Sequence, residues 1–428
     1  MAPERWTVRL ERLAYGGEAV GRLPDGRVMF VPFGLPGEVV EARVVEEKRH
    51  YLRGELLTLL EAAPQRIPPR CQHFFTPGRA LGSVCGGCHY QHLPYPAQLE
   101  AKRAILHEQL TRYGHIANPP LQAPVASPQA WEYRNHIQFH LTRQGKAGFV
   151  CAHPGQGEGD VIAISECHLP AAPLNTFWPL LDFETGLNFK RIALRLGSED
   201  EVMLVLVSDS PQPPDLAVEA GISVVHVWQE NVLVLAGDRF LWMDVTVEAA
   251  PPVRRTFRLS PTSFFQVNTP VAGKMVAYLL QRLPLSSKTT LLDVYCGVGL
   301  FSAFLAPHVG RVIGIELSPP ACEDFAFNLN EFDHVELYEA PAGEVLPALQ
   351  EPVDVAIVDP PRAGLEKTAL EGLLRLAPPW LAYVSCDAAT LARDAARLTQ
   401  NGYRLLETTP FDLFPQTYHI ESISLFTR

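Results

Sequence analysis

Three acids and one thiol stand where buried strands should end in the last third of the chain. Asp359 opens Asp-Pro-Pro-Arg after the apolar run VDVAIV, and Glu316 closes RVIGIE. Cys386 follows LAYVS, and Glu421 interrupts the apolar run YHIESISLF. A buried carboxylate resists ionisation, and a raised pKa suits proton abstraction; the competing reading of Glu421 is an outward-facing acid on an edge strand. Cys386 precedes a predicted helix over 387–397. A helix N-terminus lowers a thiol pKa and favours the nucleophilic thiolate. From the residues alone a buried spectator thiol is an equal reading of Cys386, and a better one for Cys296 and for Cys322.

TTLLDVYCGVGLF reads as a buried strand, a turn with Gly297 and Gly299, and a helix. Small residues let the backbone approach a ligand at the carboxyl end of such a strand. A dinucleotide fingerprint wants a third glycine where Ser302 stands, so NAD is disfavoured. Glu316 on the next strand could accept hydrogen bonds from both hydroxyls of a ribose, or simply be solvated. Asp359 is held at the sheet mouth by two rigid prolines. Together these strand ends describe an S-adenosylmethionine pocket better than another nucleotide site. A second cluster is made of Cys71, Cys85-Gly-Gly-Cys88 and Cys167. Four thiolates suit zinc or an iron–sulfur cluster, and spacing does not choose between them. Cys151 competes as the fourth ligand, four unrelated reduced thiols are the other alternative, and His73, His89 and His92 read as surface or structural residues.

The elements that position these groups follow from the pattern. Residues 5–60 alternate apolar and polar residues between Gly and Pro turns, as in VMFVPF and EVVEARVVEE, which predicts a small β-barrel. A proline-rich joint at 64–69 leads into the cysteine segment, and 97–114 carries apolar residues at helical spacing. Strand-like runs from 131 to 258 predict a β-rich central domain. From 289 onward apolar strands alternate with amphipathic helices, which predicts an α/β, doubly wound parallel sheet. The chain has 428 residues, 47% apolar and 19% charged, enough for two or three cored domains. No apolar run reaches the ~18 residues of a membrane span. Eight cysteines, with a start that is neither signal nor transit peptide, argue for a reducing cytoplasm. Net charge is −11, yet it divides as 0 for residues 1–66, −3 for 67–262 and −8 for 263–428. Arg134 to Lys146 and the Arg254, Arg255, Arg258 group carry only positive charge, so global acidity does not exclude a polyanion.

FFQVN, DVYCGVGLF, IVDPPRAGL, YVSCDAATLARD and LFPQTYHIE, in this order, resemble the signature segments of S-adenosylmethionine-dependent RNA uridine-C5 methyltransferases. Residues 1–66 resemble the TRAM domain, an RNA-binding barrel, and CGGCHYQH and SECHLP resemble the iron–sulfur segments of the bacterial 23S ribosomal RNA members. The resemblance implies a Rossmann-like methyltransferase domain built from 97–124 and 263–428, and a central iron–sulfur and RNA-binding domain from 67–96 and 125–262. It implies that Cys386 is the nucleophile, Glu421 the general base, and Asp359 an acid touching both base and cofactor. It places Gln266, Tyr295, Gly297, Gly299 and Glu316 with Asp359 around S-adenosylmethionine, and Phe264, Gln266 and Arg362 against the substrate uracil. It selects a 4Fe–4S cluster on Cys71, Cys85, Cys88 and Cys167, although thirteen residues separate Cys71 from Cys85, more than in the family's other members. The implied partner is RNA, 23S ribosomal RNA before tRNA, acted on by a monomer with no membrane attachment. Non-catalytic RNA binding would tolerate loss of Cys386 or Glu421, and both are present; amino-group methylation would need a different residue from Arg362 after the two prolines. Asp387 departs from the family's usual Asn beside the nucleophile, Leu300 from an often polar residue, and Tyr295 from Phe. The added charge of Asp387 would oppose thiolate formation unless it is paired.

Overall fold

The computed structural model describes residues 4–152, 160–181, 183, 189–213 and 221–428. The alternating N-terminal segment closes into a barrel of β1 (Arg5–Leu13), β2 (Ala19–Arg22), β3 (Val28–Val31), β4 (Val39–Glu47) and β5 (Tyr51–Glu61), in the order β1-β2-β3-β5-β4. Val8, Leu10, Met29, Val31, Val40 and Leu52 point inward with period two and are buried. The cysteine segment does not stand apart from the barrel. Phe74, Phe75, Leu81, Val84 and Cys88 share its core, and Phe33 stacks on Phe75 with ring centroids 4.8 Å apart.

Helix α1 (Tyr95–Arg112) follows, and its Ile105, Leu106 and Leu110 join the core of the C-terminal sheet. The central sheet comprises β6 (His136–Leu141), β7 (Ala147–Val150), β8 (Val161–Ala163), β9 (Phe189–Leu196), β10 (Val202–Ser208), β11 (Ser223–Trp228) and β12 (Asn231–Ala236), with α2 (Ala172–Phe177) beside it. Its order is β12-β11-β10-β9-β6-β7-β8. The hairpin β13 (Leu241–Val247) and β14 (Val253–Leu259) puts Met243, Val245 and Phe257 into the same core as α3 (Thr269–Arg282).

The C-terminal sheet has the order β17-β16-β15-β18-β19-β21-β20. Its strands are β15 (Thr290–Val294), β16 (Arg311–Glu316), β17 (Val335–Glu339), β18 (Val355–Val358), β19 (Trp380–Ser385), β20 (Arg404–Phe411) and β21 (Glu421–Thr427). Between them run α4 (Leu300–Leu305), α5 (Pro319–Asn328), α6 (Ala342–Ala348), α7 (Lys367–Leu376) and α8 (Ala388–Gln400). The pairs from β17 through β19 are parallel and β21 alone runs antiparallel to its neighbours. Separate buried clusters cover the two faces, which is why strands such as VAIV are apolar at every position. Among the described residues no helix is long and apolar enough to cross a membrane.

Candidate active site

Strand order brings the predicted chemical groups to one edge of this sheet. Asp359 leaves β18, its backbone N–H donating to the Val294 carbonyl at 3.1 Å. Cys386 leaves the adjacent β19. Because β21 is antiparallel with Ser385 opposite Ser422, its first residue, Glu421, begins where Cys386 emerges. Glu421 is buried between β19 and β20, so it is not the outward acid of an edge strand. Burial first, then the Asp359 carboxylate, push its pKa well up, with Arg362 acting in the other direction. Asp359 is itself pushed up to about 7 by burial and by Asp293.

The thiol reverses one expectation. Helix α8 does begin beside Cys386, but burial, followed by the charges of Glu421 and Asp359, pushes the thiol up to about 12, and Arg362 offsets only part of this. Desolvation and three carboxylates, Glu421, Asp359 and lastly Asp387, outweigh a helix terminus whose effect is at most ~2 kcal/mol.

The turn after β15 lies one strand further along. Tyr295 takes a left-handed backbone conformation (φ 64°), as do Gly297 (φ 54°) and Gly299 (φ 91°). A Cβ on Gly297 would project into open space, whereas one on Gly299 would strike Leu329 at 2.4 Å. Gly297 thus leaves room for a ligand, and Gly299 lets the turn pack on α5. Glu316 Oε2 accepts the Gly297 N–H at 2.9 Å, and Oε1 accepts those of Leu317 and Ser318 at 2.8 Å each. The carboxylate is therefore fixed at the turn. The buried Tyr295 hydroxyl has no partner among the described residues.

Phe264 and Gln266 occupy the loop after β14. Asp324 on α5 holds the loop's start, accepting from Ser260 N at 2.6 Å, Ser263 Oγ at 2.7 Å and Arg258 Nε at 3.0 Å. Phe264 stays 70% exposed on this rigid base, while Gln266 is buried. Sequence reasoning passed over Asp293. It is fully buried in β15, accepts from Ser302 Oγ at 2.6 Å, and is pushed up to about 6 chiefly by burial. An acid inside LLDV is the same signal that drew attention to Glu421.

The loop before Glu421 is held from two directions. Gln98 of α1 donates to Gln416 Oε1 and accepts the Gln416 N–H, both at 2.9 Å, and Lys102 Nζ lies 2.6 Å from Asp412 Oδ1. From the cysteine segment, the backbone N–H groups of His89 and Tyr90 donate to the Gln416 carbonyl at 2.8 and 3.0 Å.

Cys71, Cys85, Cys88 and Cys167 line one cavity of about 150 Å³, together with Gln91 and Arg134. The long Cys71–Cys85 insertion therefore does not remove Cys71 from the group. Cys151 lies outside that lining; its backbone pairs with Cys85. Burial pushes the thiols up, Cys71 to about 11 and Cys85 to about 12. Among the described residues no three His, Cys, Asp or Glu side chains converge tightly enough for a single metal ion. His73 instead bonds Ser165 Oγ at 3.1 Å, His89 packs on Tyr418, and His92 is buried against Phe74.

Residues 247–428 match the family model described as tRNA (uracil-5-)-methyltransferase, and residues 4–57 match the TRAM domain. An uncharacterized RNA methyltransferase of Thermosynechococcus vestitus is 33% identical over 98% of this chain and 97% of its own length. The chain belongs to the TRAM-containing RNA uracil-5-methyltransferases. A further RNA methyltransferase, from Thermotoga maritima, is 30% identical over 97% of both chains. The Pyrococcus abyssi tRNA (uracil-54, C5)-methyltransferase, solved with S-adenosyl-L-homocysteine, superposes with a TM-score of 0.72 at 25% identity, covering 99% of this chain and 100% of that one. The chain is accordingly an S-adenosylmethionine-dependent enzyme that methylates carbon 5 of uracil in RNA.

Proposed function

We propose that this methyltransferase acts on a uridine of 23S ribosomal RNA through a covalent Cys386 adduct, with Glu421 as the base that completes the reaction. The observation that carries the division of roles is the register of β19 and β21, which starts the buried Glu421 where Cys386 leaves the sheet. Carbon 5 of uracil is a poor nucleophile until a thiolate adds at carbon 6 and turns the ring into an enolate. Cys386 Sγ forms that bond, and Arg362 supplies the positive charge that favours its thiolate. Bound against Gly297, Gly299, Tyr295 and Glu316, S-adenosylmethionine supplies an electrophilic methyl group. Once carbon 5 is methylated, Glu421 takes its proton, the ring electrons return, and the Cys386–carbon 6 bond breaks. Burial that holds Glu421 high makes it a stronger base than an exposed carboxylate. Asp359, held high beside it, would touch both the cofactor and the uracil, the role the resemblance implies. Phe264 offers an exposed ring on which an extruded uracil would stack, worth ~1–3 kcal/mol, and the buried Gln266 would border the cofactor.

A groove of about 1010 Å³ between the barrel, α1 and α8 supports an RNA path toward this site. Arg53, Arg112, Arg393 and Arg397 line it with Phe30 and Tyr51, and Glu18 and Glu108 offset part of the charge. Cations with stacking rings suit a single strand. A tRNA substrate is the second reading, favoured by the full-length likeness to the Pyrococcus abyssi enzyme. Mapping 5-methyluridine in total RNA with and without the gene decides between them. Loss of the mark from 23S RNA supports the first reading, and loss from tRNA alone overturns it.

We read the cysteine cavity as the seat of a 4Fe–4S cluster rather than zinc, as the resemblance of CGGCHYQH and SECHLP implies. A tetrahedral zinc site with ~2.3 Å bonds needs sulfurs within roughly 3.8 Å of one another, whereas a cluster separates its ligands more widely. Cys71, Cys85, Cys88 and Cys167 would hold it, and their burial, which opposes bare thiolates, suits thiolates bound to a cationic centre. Iron and acid-labile sulfide assays on anaerobically prepared protein should find both near four per chain. Stoichiometric zinc would overturn the assignment.

A further inference from the structure

We propose that Tyr15, in the barrel turn between β1 and β2, is a positioning residue for Cys386 that acts through Asp387. The inference rests on the reading of Cys386 as nucleophile. The Tyr15 hydroxyl donates to Asp387 Oδ2, across 372 positions of sequence. The other carboxylate oxygen, Oδ1, caps α8 by accepting from Ala389 N at 3.1 Å and Thr390 N at 2.9 Å. Asp387 N also donates to Ser385 Oγ at 3.1 Å, and that hydroxyl donates back to the Asp387 carbonyl at 2.9 Å. The peptide carrying the thiol is thereby tied on both sides.

This arrangement answers the problem that an acid beside a nucleophilic thiol creates. A bare carboxylate at Asp387 would add to the negative field that already opposes the thiolate, with Glu421 and Asp359 against it and Arg362 alone in favour. Asp387 does raise the thiol, but less than Glu421 and Asp359: one of its oxygens is hydrogen-bonded by helix N–H groups and the other by a phenol from a different domain, which together disperse part of its charge. Around Tyr15 itself stand Asp387, Tyr418 and Arg362. The barrel turn packs closely here. A Cβ on Gly17 would come within 2.8 Å of Tyr418 Cβ, so the turn approaches the loop before Glu421 as near as a glycine permits. Tyr15 also lines the arginine-rich groove, which places the phenol between the RNA path and the thiol.

The test is a double-mutant cycle read on Cys386 chemistry without RNA. Iodoacetamide alkylation of the Cys386 peptide is followed by mass spectrometry at pH 8.5 for wild type, Tyr15→Phe, Asp387→Asn and the double variant. Below the thiol pKa the rate tracks the thiolate fraction. Tyr15→Phe should slow it about threefold, equivalent to about half a pH unit, and Asp387→Asn should speed it about tenfold. In the Asp387→Asn background Tyr15→Phe should change nothing, because the charge it compensates is gone while an Asn cap still holds the helix. An unchanged rate in Tyr15→Phe, or an equal slowing in both backgrounds, overturns the proposal. Failure of the nucleophile reading is seen separately: methylation by Cys386→Ala would remove that reading, while the alkylation cycle would still report the coupling.

Discussion

Replacing Asp293 by asparagine should stabilise the cofactor-free enzyme in neutral solution while impairing its activity. Asp293 is fully buried in the middle of β15, with one carboxylate oxygen bonded to Ser302 and the other unpartnered among the described residues. Its pKa is pushed from 3.8 up to about 6, by burial first and with Glu316 adding to it. The native state therefore holds a proton that the unfolded chain has lost between those values. Stability from this group is full below pH ~4 and declines as pH rises through ~6. A shift of about two units corresponds to about 3 kcal/mol at pH 8. Asparagine keeps the shape and the acceptor for Ser302 but does not ionise, so the penalty disappears. Urea unfolding of the C-terminal domain should give similar midpoints for the two proteins at pH 4.5 and a higher one for the variant at pH 8. Parallel pH profiles, or a less stable variant at pH 8, would refute the burial argument. Calorimetry at pH 8 should at the same time show weaker S-adenosylmethionine binding, since Asp293 interacts with Glu316, the carboxylate that accepts the Gly297 N–H.

Cys386→Ala should yield neither product nor covalent RNA adduct, whereas Glu421→Gln should methylate and then stall with RNA attached; a denaturing gel with labelled RNA separates them, and rapid product release by Glu421→Gln would identify another base. RNA with fluorine at carbon 5 should give the wild-type enzyme the same arrested adduct, because fluorine does not leave as a cation. Phe264→Ala should leave stability within ~0.5 kcal/mol, as expected for an exposed side chain, yet weaken RNA binding by ~1–3 kcal/mol in a filter-binding assay. Lys102→Met should destabilise the fold by about 3–5 kcal/mol in denaturant titration, because it strands the buried Asp412 carboxylate, and Lys102→Met with Asp412→Leu should recover most of it.

The parts of the site legible in the sequence are those whose signal is local. An acid interrupting an apolar run announces a buried carboxylate, and that reading holds for Glu421 in ESISLF. The same pattern in TLLDV marks Asp293. The β–turn–α spacing likewise places Gly297, Gly299 and Glu316 together, because consecutive parallel strands end on the same side of a doubly wound sheet. What local pattern does not carry is the sum of fields at one atom. A helix start beside Cys386 reads as an activated thiol, yet burial and Glu421, 35 positions on, reverse the sign. Nor does it carry contacts whose partners lie in separate domains. Tyr15 in AYGGE looks like an ordinary turn tyrosine, and Asp387 looks like an uncompensated departure; each explains the other only once the barrel rests on α8. The Cys71–Cys85 spacing is a similar case, since an insertion in sequence says nothing of where its ends return. The chain brings both thiols to one cavity, and the residues just after Cys88 support the loop that delivers Glu421. The barrel turn and the cysteine segment thus brace the loops that carry Cys386 and Glu421 from outside the methyltransferase sheet.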